Sequence, residues 1–234
     1  MLKSIKQPLR LTLLALTLGG TLLVLLKAIA TPKPDAVASD AGRHLSPTVP
    51  IDGWQFLDST AIEDKVTLGA GESPAHGQRY YYRRGDVRMD VELRHTMGDG
   101  NVSRFLFVYS PVREGNSKLA SGIRHRPDIG YYGVLTHKGR AYLTACINAR
   151  GSSTVTDQQF RHDRFTYDVQ LSRILPWLWG REPLLDHRCL WTLMSIPVKP
   201  DAMAESMDSQ EAYRKLEAAW VSWYQWWRSN YPPS

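Results

Sequence analysis

The chain has 234 residues, 43% of them hydrophobic and 22% charged, with 17 Gly and 14 Pro. This excludes a collagen, a repeat array or a disordered tail, and leaves room for one domain with appendages or two small domains. Of its 29 basic residues, Lys3, Lys6, Arg10 and Lys27 precede residue 31, where there is no acid. Beyond it 25 bases face 23 acids, a net charge of only +2. A nucleic-acid-binding domain carries its excess charge on the folded body, so nucleic acid is not an expected partner.

Between Arg10 and Lys27 lies an uncharged, Leu-rich run, Leu11 to Leu26. As a helix it extends about 24 Å at about 1.5 Å per residue. Ala28, Ile29 and Ala30 lengthen it, and the stems of Arg10 and Lys27 can lie along apolar surface with their charges at headgroup level. A membrane anchor over Leu11 to Ala30 is therefore expected. A cleaved signal peptide is the competing reading, since the basic start and the small-x-small form of Ala28-Ile29-Ala30 fit one. Either way the following domain is exported.

Residues 31–50 turn to Pro, Ala, Ser and Asp, including Pro32, Pro34, Pro47 and Pro50. Such a stretch buries too little apolar surface to offset the entropy of ordering it, so it reads as a flexible linker. The organisation expected is an anchor over 1–30, a linker over 31–50 and an extracytoplasmic α+β domain over 51–234.

In that domain Gln78 to Arg83 and Asp86 to His95 read as a hairpin turning at Gly85. Val87, Met89, Val91 and Leu93 alternate with Arg88, Asp90, Glu92 and Arg94 at the period of a half-buried strand. Val102 to Ser110 is expected to be a third strand, with Phe105, Phe107 and Tyr109 on one side. Tyr131 to Thr136 and Ala141 to Ile147 read as a second hairpin, and Leu190 to Val198 as a further strand. The connections are too short for crossover helices, so the sheet is expected to be mostly antiparallel. Helices are expected over Asp168 to Trp179, interrupted at Pro176, and over Asp208 to Arg228, opened by an Asp208-x-x-Glu211 capping box. In the second, Tyr213, Leu216, Trp220, Trp223, Tyr224 and Trp227 form one stripe. Two or three helices on the sheet complete the fold.

Seven of the eight tryptophans follow Pro176. Trp220, Trp223 and Trp227 belong to the expected core. Trp226 points off that face and, with Tyr231, suits a membrane surface or a partner.

Cys146 and Cys189 are the two cysteines. An even count in an exported domain suits a disulfide, whereas Asp186, His187 and Arg188 beside Cys189 are residue types that activate a thiol. Bridge, structural thiols and chemistry at Cys189, Cys146 and His187 all stay open. The histidines show no ligand spacing and no phosphate-binding fingerprint occurs, so no metal or cofactor is expected. The tract Ala145 to Phe160 places Asn148, Arg150, Ser153, Thr154, Thr156 and Gln159 just after a predicted strand, where function commonly sits. The competing reading is a loop whose hydroxyl and amide groups satisfy its own backbone.

The order Ala-Cys146-Ile-Asn148-x-Arg150-Gly and Ser153-Thr154-Val-Thr156-x-x-Gln159-Phe, followed by Pro176-Trp-Leu-x-Gly180, Asp186-x-Arg188-Cys189-Leu-Trp191 and Trp220-x-x-Trp223-Tyr-x-Trp226-Trp227, resembles the cyanoexosortase A system-associated proteins. The resemblance runs from Tyr131 to Pro232. His162-Asp163-Arg164 departs from it, standing where an Asn-Arg pair is expected. It implies a single-pass membrane accessory protein of a cyanobacterial exosortase system, which processes proteins with a Pro-Glu-Pro sorting signal and is often encoded with exopolysaccharide genes. The partners implied are the exosortase, its sorted substrate, and the bilayer through the amino-terminal helix. The domain would lie in the periplasm or thylakoid lumen. No catalytic residue comes with the resemblance. Arg150 and Arg188, with the cysteines, are where it coincides with the chemistry of the side chains. The alternatives are an extracytoplasmic thiol enzyme using Cys189 or Cys146, and an aromatic-rich module binding glycan or a membrane surface through residues such as Trp226.

Overall fold

The computed structural model describes residues 6–30, 45–62, 76–112, 119–181, 183–199 and 206–232. The chain divides into two units, Met1–Ser39 and Asp40–Ser234.

The first unit contains helix α1, Lys6–Ala30. Leu11, Leu13, Leu14, Leu16, Leu18, Leu22 and Leu23 are each more than half exposed, so between residues 11 and 23 these leucines point outward all round rather than along one stripe. The hydroxyl groups of Thr17 and Thr21 turn back to donate to carbonyls one turn earlier, Leu13 O at 3.0 Å and Thr17 O at 2.8 Å. Among the described residues no helix is long and apolar enough to cross a membrane.

The second unit is α+β. Strands β1 (Gln55–Ile62), β2 (Gly77–Arg84), β3 (Val87–Met97), β4 (Ile123–Arg126), β5 (Gly130–His137), β6 (Arg140–Asn148), β7 (Ser153–Thr154) and β8 (Arg188–Pro197) form one sheet in the order β1-β2-β3-β8-β6-β7-β5-β4. All pairings are antiparallel except the short contact of β5 with β7. The helices are α2 (Val102–Tyr109), α3 (Asp157–Tyr167), α4 (Leu171–Leu178) and α5 (Met207–Ser229).

Both faces of the sheet are covered, so the central strands β6 and β8 are buried almost end to end and lack a polar side. On one face α5 lays Tyr213, Leu216, Trp220, Trp223 and Trp227 over Leu143, Ala145, Met194 and Ile196. On the other, Val102, Phe105 and Leu106 of α2 pack with Phe160, Tyr142 and Trp191. Buried indoles find polar partners in the strands: Trp191 Nε1 donates to Thr144 Oγ1 at 2.9 Å and Trp223 Nε1 to Thr192 Oγ1 at 3.1 Å.

Several expectations need correction. Val102 to Ser110 is not a strand: Asn101 caps a helix by accepting from the Arg104 N–H, and Val102, Phe105 and Leu106 fall on one helical face while Phe107 is exposed. The helix expected from Asp168 begins only at Leu171, because Asp168 ends α3, and Pro176 lies inside it. α5 is capped by Ser206, which accepts from the Ser209 N–H, rather than by the box at Asp208 and Glu211. Residues 45–50, expected within the linker, join the core: Leu45 and Val49 are buried, and the Tyr82 hydroxyl donates to Val49 O at 2.7 Å.

Candidate functional site

Where β6 ends and β8 begins, four segments distant in sequence meet: the tract after Asn148, the helix α3, the stretch Asp186 to Arg188, and the carboxyl end of α5. α3 is not among the helices expected from the sequence, although Thr156-x-x-Gln159 spells its capping box. Thr156 accepts from the Gln159 N–H, and Gln159 Oε1 accepts from the Thr156 N–H at 3.1 Å and the Val155 N–H at 2.9 Å. Those two candidate residues thus start a helix, and the helix brings Asp163, Arg164 and Asp168 to the site.

Asp168 is the hub. Its side chain is only 3% exposed; Oδ1 accepts from Arg150 at 2.9 Å and from Arg173 at 3.0 Å, and Oδ2 accepts from the Asp186 N–H at 2.8 Å. Asp186 in turn takes two parallel bonds from Arg188, 2.9 and 2.7 Å. Burial alone would raise the Asp186 pKa, yet the Arg188 guanidinium holds it below the usual carboxylate value. Arg188 also donates to Pro232 O at 2.7 Å and lies over the Tyr231 ring. Burial drives the Tyr231 hydroxyl pKa upward, and the hydroxyl is enclosed with no hydrogen-bond partner among the described residues. Tyr231 therefore turns its polar end inward.

A second layer holds the turn after β6. Asn148 Nδ2 donates to Ser152 O at 2.8 Å and to Asp163 Oδ2 at 3.2 Å, and that carboxylate also accepts from the Ser152 N–H at 2.9 Å. Thr154 donates to Asn148 Oδ1 at 3.4 Å, and Ser153 to Tyr131 O at 2.8 Å. Arg164 is buried over the Phe160 ring, 3.6 Å from its centroid, and donates to Asp186 O. Desolvation lowers its pKa from the ordinary arginine value.

Gly151 turns with φ +78°, and a Cβ there would lie 2.6 Å from both Asp163 Oδ2 and the Tyr167 ring. Gly151→Ala is expected to cost about 2 kcal/mol, from strain plus collision. A thermal melt unchanged within a degree or so would contradict this arrangement of the turn.

Five guanidinium groups, of Arg150, Arg164, Arg173, Arg188 and Arg228, thus gather around three carboxylates, Asp163, Asp168 and Asp186. Among the described residues Arg228 donates to the carbonyls of Asn148 and Ala149, both at 3.2 Å. A groove of about 490 Å³ opens here, bordered by Arg150, Arg173, Arg228, Tyr167 and Tyr224, with Asp128 as its one acidic side chain. Its excess of fixed positive charge suits binding of an anion.

Cys146 and Cys189 lie on the α2 face of adjacent strands and form a disulfide, with Cα atoms 5.6 Å apart. Neither offers a thiol. His187 is exposed before β8, and its carbonyl accepts from the Gly98 N–H at 3.0 Å. Trp226 is half-buried, edge-to-face with Trp227 at 4.7 Å. Among the described residues no group of three or more His, Cys, Asp or Glu could hold a metal ion. Asp163, Arg164, Asp168, Arg173 and Arg228 were not among the candidate site residues; for α3 the capping box was the available signal, and for Arg173 and Arg228 there was none.

His95 of β3 stands nearby, its Nε2 buried without a hydrogen-bond partner among the described residues. Burial, with Arg188 and His76 adding and Asp186 opposing, pushes its pKa down to about 4 from 6.5. The folded protein holds this imidazole neutral, while the unfolded chain protonates it below pH 6.5. The stability it contributes is complete above that value and is lost as pH falls toward about 4, roughly 2 kcal/mol of it by about pH 5. Urea midpoints compared at neutral pH and about pH 5 should show this, and His95→Gln should reduce the difference.

No family model matches the chain, and neither a curated protein nor a solved structure does.

Proposed function

We propose that the chain is a membrane-tethered accessory protein of a cyanobacterial exosortase system. Its domain lies outside the cytoplasm and acts by binding the exosortase or its sorted substrate rather than by chemistry of its own. The observation that carries this reading is spatial. Arg150 from one motif of the resemblance lines the groove, Asp186 and Arg188 from another are bonded behind it through Asp168, and Thr156 and Gln159 from a third open the helix that carries Asp168 to it. One network that shapes and supports this groove accounts for motifs so far apart in sequence.

Two further features support export and tethering. A Cys146–Cys189 bridge persists in an oxidising compartment. The outward-facing leucines of α1, with Thr17 and Thr21 satisfied within the helix, suit a hydrocarbon surrounding. With both sulfurs in the bridge, the structure does not favour the thiol-enzyme alternative.

The test is recovery of the full chain from cell membranes, its mass taken with and without reductant plus alkylation, and affinity capture with the chain as bait. The expected result is membrane-bound protein that gains two alkyl groups only after reduction and brings down the exosortase or its substrate, and brings down less of it when Arg150 and Arg228 are changed to Gln. Full-length protein in the cytosolic fraction, or alkylation without reductant, would overturn it.

A further inference from the structure

We infer that the groove bordered by Arg150, Arg173 and Arg228 is a binding site for a phosphate monoester, with the phosphoryl group seated between the guanidinium groups of Arg150 and Arg228. The inference rests on the reading above, in which this groove is where the chain binds, and names the chemistry it takes.

Both guanidinium groups are anchored through one nitrogen and open at the opposite edge. Arg150 Nη1 donates to Asp168 Oδ1 at 2.9 Å, and Arg228 Nη1 donates to the carbonyls of Asn148 and Ala149, both at 3.2 Å. Among the described residues Nε and Nη2 of either side chain make no hydrogen bond. That edge, with its two parallel N–H groups, is the one that holds an oxyanion bidentately. The anchoring bonds have already removed part of the rotamer freedom that binding would cost. The two forks are also brought to one place, since the carbonyls that hold Arg228 immediately precede Arg150 in the chain. Arg173 commits Nη1 to Asp168 and Nη2 to Pro183 O, so it adds charge rather than a third fork.

The acids of the groove leave these forks free. Asp128 is answered by Arg126 at 2.7 Å, and Asp168 lies beneath the surface as the shared acceptor of Arg150 and Arg173. Arg126, Arg150, Arg173 and Arg228 against Asp128 and Asp168 leave an excess of two positive charges, while Arg164 and Arg188 behind them offset Asp163 and Asp186. A carboxylate has two oxygens and one charge, and fills one fork. A phosphate monoester carries close to two negative charges at neutral pH and three strong acceptor oxygens, enough to accept from both forks and from Ser172, whose exposed residue lines the groove. The volume of about 490 Å³ is more than a phosphoryl group fills, and leaves room for the organic part of the ester against the Tyr167 ring, a residue 42% exposed.

The experiment titrates the full chain, in micelles of a non-ionic detergent, with phenyl phosphate and follows the heat of binding. The expected result is saturable binding that benzoate reproduces about tenfold more weakly. Arg228→Gln is expected to weaken it about tenfold, and Arg228→Lys, which keeps the charge and loses the fork, nearly as much. Ser172→Glu sets a carboxylate on the rim without touching either arginine and should weaken binding at least as far, whereas Arg161→Gln, exposed on α3, should leave it unchanged. No saturation up to about 10 mM, or equal binding by wild type and Arg228→Gln, overturns the inference. So does benzoate binding as tightly as phenyl phosphate, or full affinity in Arg228→Lys. A second titration, with the chain in phosphatidylcholine vesicles with and without phosphatidic acid, separates the two sources of such a group: competition by phosphatidic acid identifies a lipid headgroup, and its absence a soluble ester. A chain that captures the exosortase or its substrate and ignores phenyl phosphate overturns this inference alone, while phenyl phosphate binding with no partner captured overturns the accessory role alone.

Discussion

Replacing Cys146 and Cys189 together by Ala is expected to lower the unfolding free energy by about 4 kcal/mol, the chain-entropy value for a closed loop of roughly 44 residues. The bridge joins strands that pair along most of β6 and β8, so the folded state keeps its contacts when the sulfurs are removed. What changes is the unfolded chain, which regains the freedom to separate the two ends. Urea unfolding of the wild type under oxidising and reducing conditions should differ by the same amount as wild type and double variant. A difference below about 1 kcal/mol would mean that the bridge does not constrain the unfolded ensemble. The size of the effect also bears on compartment. A sheet resting on this bridge is least stable where thiols are kept reduced, so protein made in the cytoplasm should be recovered in poorer yield than exported protein.

Asp168→Ala is expected to cost about 3 to 4 kcal/mol, in the range for breaking a buried ion pair from one side. The carboxylate is the common acceptor for Arg150, Arg173 and the Asp186 N–H. Without it, the largely buried Arg173 is left uncompensated and the Asp186 segment loses its tie to α3. Arg150, which is more exposed, regains solvent and contributes little to the loss. Asp168→Asn keeps an acceptor but loses the charge and should fall between the two. Arg173→Met, which removes the cation instead of stranding it, should cost about 1 to 2 kcal/mol. If Asp168→Ala melts within a degree or two of the wild type, the guanidinium cluster is not held through this hub. The same variant should also loosen α4, because Arg173 is its main polar attachment, and should therefore raise amide exchange across Leu171–Leu178.

The elements legible from the residues alone are those whose periodicity is long or whose turn is chemically demanding. α5 runs through six turns with its apolar stripe unbroken, and Tyr213, Leu216, Trp220, Trp223, Tyr224 and Trp227 are all buried. The hairpins β2–β3 and β5–β6 follow from alternation and from Gly85 and Gly139, both at positive φ. Local chemistry suffices there, because side-chain direction is set by the period and φ by the absence of a Cβ.

Elsewhere two local readings were equally good, and distant partners chose between them. Val102 to Tyr109 carries an apolar set at period two and another at helical spacing; the second prevails because Trp191 and Phe160 offer it a surface. The polar side of β3 looks solvent-facing in sequence, yet Glu92 and Arg94 are buried and paired at 2.6 Å, with Arg94 also over the Tyr109 ring of α2. The guanidinium cluster was half legible: Arg150 and Arg188 stood out, whereas Asp168, Arg173 and Arg228 did not, because each has its role through a partner elsewhere in the chain.

Composition and periodicity determined the apolar helix α1, the α+β class, the mostly antiparallel sheet and the aromatic face of α5. Only the packed chain decided that the cysteines are bridged, since the register that sets Asn148 opposite Cys189 brings the two sulfurs together across strands joined through two intervening helices. It alone also turned the leucines of α4 outward. A periodic stripe states that a helix has an apolar face; which way that face points depends on the polar side finding Asp168 and Pro183, and those contacts exist only once the sheet has closed.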